Sequence, residues 1–389
     1  MDDPSDQPDR DGSSGRSGSF GALLKYFLHL GTFGFGGPIA TVGYMQRDLV
    51  ERRRWLESEE FLNGVALGQT MPGPLAAQVA MWVGFLQRGA AGALAVAVVF
   101  IIPSFIVVLT IAFFYVRFNG LDWVQALFYG IAPGVMAIIA IAATKLARLT
   151  NGRDYRLWAI SLVIMLVTAI TGAEVAVLFV AAGLLMIVLD APPRSLRRGA
   201  TGALPPLAHS LLVGTASAGA LMSLGLFFLK AGAFIFGSGL AIVPFLREGV
   251  VNQHHWLNSR QFLDAVAMGL ITPGPVVITA TFIGYLVGGF AGAVVATIAI
   301  FTPIYLGVVV PGGWFMRHRH NPQIQAFVKG ATAAAAGAIA GATIVLTRQA
   351  VVDVPTMVIA VGALALLWRF KLQEPVIVLL AGVAGLLLH

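Results

Sequence analysis

The sequence predicts an all-α integral membrane protein built from two homologous repeats of inverted topology, each with discontinuous, re-entrant helices. Three observations predict it: an excess of apolar residues, an internal repeat, and Gly/Pro runs that interrupt the apolar segments at matching places. Of 389 residues, 58% are apolar and 11% charged, with a mean hydropathy of +0.84. A soluble domain carries about 25% charged residues, so this chain cannot cover a water-facing surface. Several apolar stretches reach about 20 residues, enough to cross a bilayer as a helix, and none shows the short alternating runs of barrel strands.

The charge balance points the same way. Lys and Arg number 25 against 18 Asp and Glu, a net +7, and the excess falls in short loops between apolar segments. There it reports orientation in a membrane rather than a nucleic-acid partner. The absence of cysteine excludes disulfides, thiolate metal sites and cysteine nucleophiles. Residues 1–19, rich in Asp, Ser, Gly, Pro and Arg, are expected to form a disordered tail. Asp2, Asp3 and Asp6 are the wrong start for a secretory signal, so the first apolar segment is expected to stay in the mature protein.

Residues 31–74 match residues 232–275 at a constant offset of 201, with 18 of 44 pairs identical. The identities fall on structurally demanding residues: Gly31 with Gly232, Gly36 with Gly237, Trp55 with Trp256, Gly68 with Gly269, and Pro72, Gly73 and Pro74 with Pro273, Gly274 and Pro275. After a one-residue deletion the offset is 200, pairing Pro103 with Pro303, Gly130 with Gly330, Arg148 with Arg348 and Glu174 with Glu374. The expected units are 20–189 and 207–389, joined by a basic connector over 190–206. Apolar segments are expected at 20–46, 61–86, 90–116, 123–149, 157–170 and 172–189, then at 207–246, 262–287, 290–311, 325–347, 354–369 and 374–388. The last pair in each half is short for a full crossing and is expected to form a tight hairpin.

The first two segments of each half are interrupted. Phe33–Pro38 reads FGFGGP and Met71–Pro74 reads MPGP; their copies are FIFGSG over Phe234–Gly239 and TPGP over Thr272–Pro275. A kinked spanning helix is one reading of such a run. Four interruptions in register favour the other, two half-helices meeting at an unwound stretch. If both broken segments enter and leave on one side, the basic residues of the first half, from Lys25 and Arg47 to Arg198, gather on one face and only Arg117 lies opposite. The positive-inside rule makes that face cytoplasmic, with the N-terminus. An extra crossing over 207–229 would then invert the second half.

Inverted repeats with discontinuous helices are the architecture of secondary transporters, and half-helix N-termini favour a small anion. The expected binding residues are Gly36, Gly37, Pro38, Gln69, Thr70, Pro72, Gly73 and Pro74, with Gly237, Ser238, Gly239, Thr272, Pro273, Gly274 and Pro275. Thr32, Thr41, Asn63, Gln78, Thr279 and Thr281 stand nearby. His29 and Lys230, at equivalent positions, Asp264, Arg47 and Arg247 are candidates for coupling or gating. For Asp264, helix capping is the favoured role. No phosphate-binding Gly-Lys-Ser/Thr loop, zinc-protease spacing or Gly-x-Ser-x-Gly elbow occurs, so the chain is expected to be no enzyme and to need no metal or cofactor.

The FGFGGP run, the Trp55–Phe61 stretch WLESEEF, the MPGP run and their copies (with WLNSRQF at Trp256–Phe262) make the chain resemble the chromate ion transporter family, in its two-domain form, over about 20–388. The resemblance implies a plasma-membrane carrier that exports chromate, coupled to the proton gradient, with halves of opposite orientation. Sulfate has the same shape and charge, and a channel lined by the same breaks is the alternative. In the second half FGGP becomes Phe236, Gly237, Ser238, Gly239, so the two halves are not expected to share the work equally. Membrane lipid is the surrounding partner, and small-residue runs such as Gly330–Gly341 would pack helices within or between subunits.

Overall fold

The computed structural model describes residues 19–34, 37–118, 121–171, 176–192, 219–235, 239–312, 321–370 and 372–388. Most of the expected tail and connector lies outside the described residues, as does Glu174.

The first half comprises α1 (Phe20–Phe33), α2 (Gly37–Met45) continued by a π-turn to Arg52, α3 (Ser58–Thr70), α4 (Leu75–Phe118), α5 (Asp122–Asn151), α6 (Tyr155–Thr171) and α7 (Ala176–Asp190). The second repeats it: α8 (Ala220–Ala233), α9 (Ile242–Arg247) with a 3₁₀ turn before it and a π-turn after it, α10 (Ser259–Ile271), α11 (Thr279–Val309), α12 (Pro322–Ala350), α13 (Val354–Phe370) and α14 (Glu374–Leu388). No strand occurs among the described residues. Four of these helices are long and apolar enough to span a bilayer, and large apolar side chains such as Ile106, Phe113, Phe114 and Leu379 face outward where lipid would lie. The protein is a multi-pass, all-helical integral membrane protein.

Local sequence explains where the helices start and stop. Glu57 and Glu60 form a reciprocal capping box at the start of α3, and Asn258 and Gln261 form its copy on α10. α4 is interrupted at Arg88 and Gly89, and α11 at Gly288 and Gly289, with Gly89 and Gly289 at positive φ. These are reversals: a Cβ on Gly84 would stand 2.4 Å from the carbonyl oxygen of Gly92, although eight residues of straight helix span about 12 Å. Each of α4 and α11 is therefore a short arm (75–87; 276–287) and a long arm (90–118; 290–309) packed glycine against glycine.

The earlier segments also fold back on themselves. The Arg53 guanidinium lies 5.2 Å from the ring centroid of Tyr26; a continuous helix would hold those residues about 40 Å apart. The indole of Trp82 donates to the Glu60 carbonyl at 3.0 Å, joining the short arm of α4 to α3. In the second half Phe227 touches Trp256 (5.6 Å between centroids), and Gly269 packs on Thr279. The described helices on either side of each Gly/Pro run therefore pack against one another as a hairpin.

The halves interlock reciprocally. A Cβ on Gly130 would meet Ala381 and Gly385, and one on Gly330 would meet Ala182 and Met186. α5 packs against α13 and α14, and α12 against α6 and α7. Such mutual exchange of equivalent contacts is the mark of a two-fold relation. The packing register of α7 on α14 is 199, one less than the 200 that pairs Glu174 with Glu374, so a further deletion precedes the last helix. The long arms of α4 and α11 are antiparallel: Tyr305, near the end of one, donates to the Ala90 carbonyl at the start of the other (3.1 Å), while Tyr115, near the end of the latter, stacks edge-on (5.2 Å) against Phe282 on the short arm that packs beside the start of the former.

Of the extra crossing expected over 207–229, only the part from Gly219 onward is described. Gly219 caps α8, and α8 is the counterpart of α1; residues 207–218 lie outside the described residues. At the outer ends, Arg156 bridges Asp154 (2.9 Å) and Asp190 (2.8 Å), fastening the α5–α6 loop to the end of α7 and holding the Asp154 carboxyl below its usual range.

Gly130→Leu should disrupt assembly of the halves, since even a Cβ there would lie 2.0 Å from the Ala381 carbonyl oxygen. Thermal unfolding in detergent should show a loss of at least about 2 kcal/mol or failure to fold, whereas Gly21→Leu, with nothing within 4 Å, should leave the transition unmoved.

Candidate functional site

Three of the four hairpin tips meet. The Gly73 amide donates to the Ile235 carbonyl at 2.6 Å, joining the second tip of the first half to the first tip of the second half. A methyl group on Gly239 would lie 3.5 Å from the Cβ of Val276 and 3.7 Å from that of Pro74. The Pro273 carbonyl, on the remaining tip of the second half, accepts a 2.5 Å bond from the Ser104 hydroxyl on the long arm of α4. By the repeat the counterpart of Ser104 is Ile304, and its side chain lies against Gly73, so each long arm reaches the other half's tip.

The tips are rigid because their backbone groups are engaged. Gln78, fully buried, donates its amide to the carbonyls of Met71 (3.3 Å) and Pro72 (2.9 Å). Its counterpart, Thr279, donates instead to Val276 (2.8 Å). Gly73 and Gly274 adopt φ of +145° and +98°, a region open to glycine and strained for other residues.

What the tips leave available are helix starts. The arm beginning at Leu75 makes its first intrahelical bond from Gln78 to Pro74 (3.1 Å), so the amides of Leu75, Ala76 and Ala77 have no acceptor within their own helix. The helical runs beginning at Gly239 and Val276 end in the same place. Each longer helix start carries roughly half a positive charge. No formally charged residue occurs in 30–46, 69–87, 231–246 or 265–316, so backbone dipoles dominate the local field. Such a place can hold an anion.

Of the expected binding residues, Pro72, Gly73, Pro74, Gly239, Pro273, Gly274 and Pro275 lie at these tips. Gly37 and Pro38 open α2; Gly36, Gly237 and Ser238 lie outside the described residues. The threonines do not serve as free donors: Thr70 bonds to Ala66 (2.7 Å) and Thr272 to Met268 (2.9 Å), each on its own helix. Gln69 is exposed at the end of α3. Ser104, Ile235 and Tyr115 were not anticipated; a lone hydroxyl beside Pro103 in an otherwise apolar run was the available signal for Ser104.

The candidate coupling and gating residues stand elsewhere. His29 is exposed against Phe33 (5.0 Å), and Lys230 is exposed with its ammonium 6.0 Å from the Phe245 ring centroid. Arg47 is ion-paired with Asp48 (3.2 Å), and both border a pocket of about 200 Å³ with Tyr26, His29 and Tyr44. In the second half Phe227 and Phe245 stack (5.6 Å) where Tyr26 and Tyr44 stand in the first. Arg247 is buried at the end of α9. Asp264 does not cap α10, since Asn258 does; it lies inside the helix and accepts from Tyr115 at 2.7 Å.

Fold and site together define a membrane protein of two like units whose tips converge on an uncharged, donor-rich point. The family described as Chromate transporter matches residues 21–187 and 222–386, and the chain belongs to that family. It is 52% identical over 371 residues to a chromate transport protein of Cupriavidus metallidurans, covering 94% of this chain and 92% of that one. A probable chromate transport protein of Synechococcus elongatus is 48% identical over 371 residues, 94% of each chain. An uncharacterized transporter of Bacillus subtilis is 31% identical over 166 residues, which is 91% of its length but 41% of this chain. No solved structure matches. The relatives are transporters, not enzymes, and this chain is one of their kind.

Gln78→Leu should leave the Met71 and Pro72 carbonyls unpaired. The expected cost is about 1–3 kcal/mol, read as a lower unfolding midpoint in detergent, with Gln69→Leu as the neutral control.

Proposed function

We propose that the protein is a secondary active transporter that exports chromate, or a tetrahedral oxyanion of the same shape and charge such as sulfate, across the plasma membrane by alternating access coupled to protons. The observation that carries this reading is the convergence of hairpin tips, with the Gly73 amide held by Ile235 and helix starts directed at the same point. Backbone amides and dipoles attract a dianion without the cost of a buried lysine. Binding would exchange the bond between Gly73 and Ile235 for one to an oxyanion oxygen, releasing one half from the other.

The antiparallel long arms support inversion. If two equivalent helices run in opposite directions across the bilayer, the two-fold axis relating them lies in the membrane plane. The hairpins at 20–52 and 58–87 then enter and leave on one side, with the basic loop of Arg52, Arg53 and Arg54 and the N-terminus cytoplasmic. The relatives named as chromate transport proteins supply the substrate.

Chromate uptake into inverted vesicles, with and without an imposed proton gradient, tests the reading. Wild type should accumulate chromate only with the gradient, and excess sulfate should compete. Gly73→Leu and Gly274→Leu should abolish uptake, since both positions need positive φ and a Cβ on either meets Gln78 or Ser104. Flux that only equilibrates would establish a channel instead.

A further inference from the structure

Asp264 is 3% exposed, six residues into α10, on the helix that leads directly into the Thr272–Pro275 tip. Its Oδ2 accepts the Tyr115 hydroxyl at 2.7 Å. Tyr115 belongs to the other half, near the end of the long arm of α4, and its ring is wedged edge-on between Phe128 and Phe282, both at 5.2 Å. The bond therefore spans the two halves about 12 Å along α10 from the tip.

Among the described residues no cation touches Asp264. Arg260, one turn earlier on the same helix, turns its guanidinium outward to the Gln125 carbonyl (3.2 Å) and acts only through its field. From α4, Arg117 is exposed; from α5, Asp122 is exposed and Tyr129 is bonded to Asp353; from α9, Arg247 is buried and its charge bears on Glu248 rather than on Asp264; from α12, Lys329 and Arg348 are exposed; Glu374 starts α14, whose far end is the one packed near Phe128. An ionised carboxylate held by a single neutral hydroxyl among apolar side chains is costly, and a proton removes that cost. The first half has Asn63 at the matching position, an amide that cannot titrate.

We infer that Asp264 is the proton-binding site of the carrier and that its bond to Tyr115 is the latch between the halves. This rests on the coupled-carrier reading above. The ionised carboxylate accepts the Tyr115 hydroxyl in a charge-assisted bond and holds α10 against the long arm of α4. Taking a proton from water on one face converts it to the neutral acid, weakens the latch, and lets the tips part; returning the proton to water on the other face restores it. Only an O–H bond forms and breaks.

The same vesicles test it. Asp264→Asn should retain exchange of labelled chromate at equal concentrations on both sides but lose gradient-driven accumulation, and its exchange rate should no longer vary with pH. Tyr115→Phe, which removes the latch, should weaken gradient-driven accumulation and move the pH midpoint upward, because the carboxylate loses the hydrogen bond that favours it. Gradient-driven accumulation by Asp264→Asn, or a pH profile like that of wild type, overturns the inference. If Asp264→Asn does not fold, Asp264→Glu decides: accumulation with a displaced pH profile supports the site, and an unchanged profile overturns it. Absence of accumulation in wild type would be a failure of the carrier reading itself.

Discussion

A break in a helix inside an apolar slab leaves amides and carbonyls that neither lipid nor neighbouring side chains ordinarily satisfy, at several kcal/mol each. The rest of this structure follows from how four breaks meet that constraint. The bond from Gly73 to Ile235, the Gln78 clamp on Met71 and Pro72, and the Ser104 hydroxyl on Pro273 each satisfy a tip with a group from another element. Two of these three partners come from the opposite half. A tip of one unit is therefore incomplete without the other unit, which gives a physical reason for the two repeats to interlock so that α5 and α12 each bind the terminal hairpin of the other half.

The same constraint shapes the electrostatics. Carbonyls at the tips are consumed by Gln78, Ser104 and Thr279, while first-turn amides remain. The imbalance leaves a region that is positive without containing a cation. Selectivity by such a region would depend on charge and on donor geometry, which is why two tetrahedral dianions of similar size are hard to tell apart by it.

Much of the fold was legible in the sequence, because the features that determine it are those a sequence displays directly. Apolar length, the repeat at 201, and Gly/Pro runs in register located the breaks within a few residues: α1 ends at Phe33 and α3 at Thr70, where the FGFGGP and MPGP runs begin. The site was legible only as a set of tips. Thr70 and Thr272 read as donors because hydroxyls near a break look available, yet in a helix a threonine hydroxyl readily bonds the carbonyl one turn back. Ser104 and Tyr115 were missed because their partners lie 169 and 149 residues away, and pairing across halves leaves no local pattern. Asp264 reads as a cap because it closely follows Ser259; the capping box that begins six residues earlier, Asn258 with Gln261, is the stronger signal.

The halves have diverged at and beside the tips. Gln78 has become Thr279, Gly34 has become Ile235, Ser104 faces Ile304, and Asn63 faces Asp264. In the carrier proposed above, accumulation requires that binding of the ion be tied to movement of the substrate, and the ion gradient, not a difference between the halves, sets its direction. A titratable group in one half and an amide at the matching position of the other would confine that tie to a single proton site. The bonding pattern shows the inequality directly: the bond to Tyr115 is made by Asp264, and Asn63 in the first half is only half-buried. In that reading the tips serve the anion, and Asp264, unmatched in the other half, serves the proton.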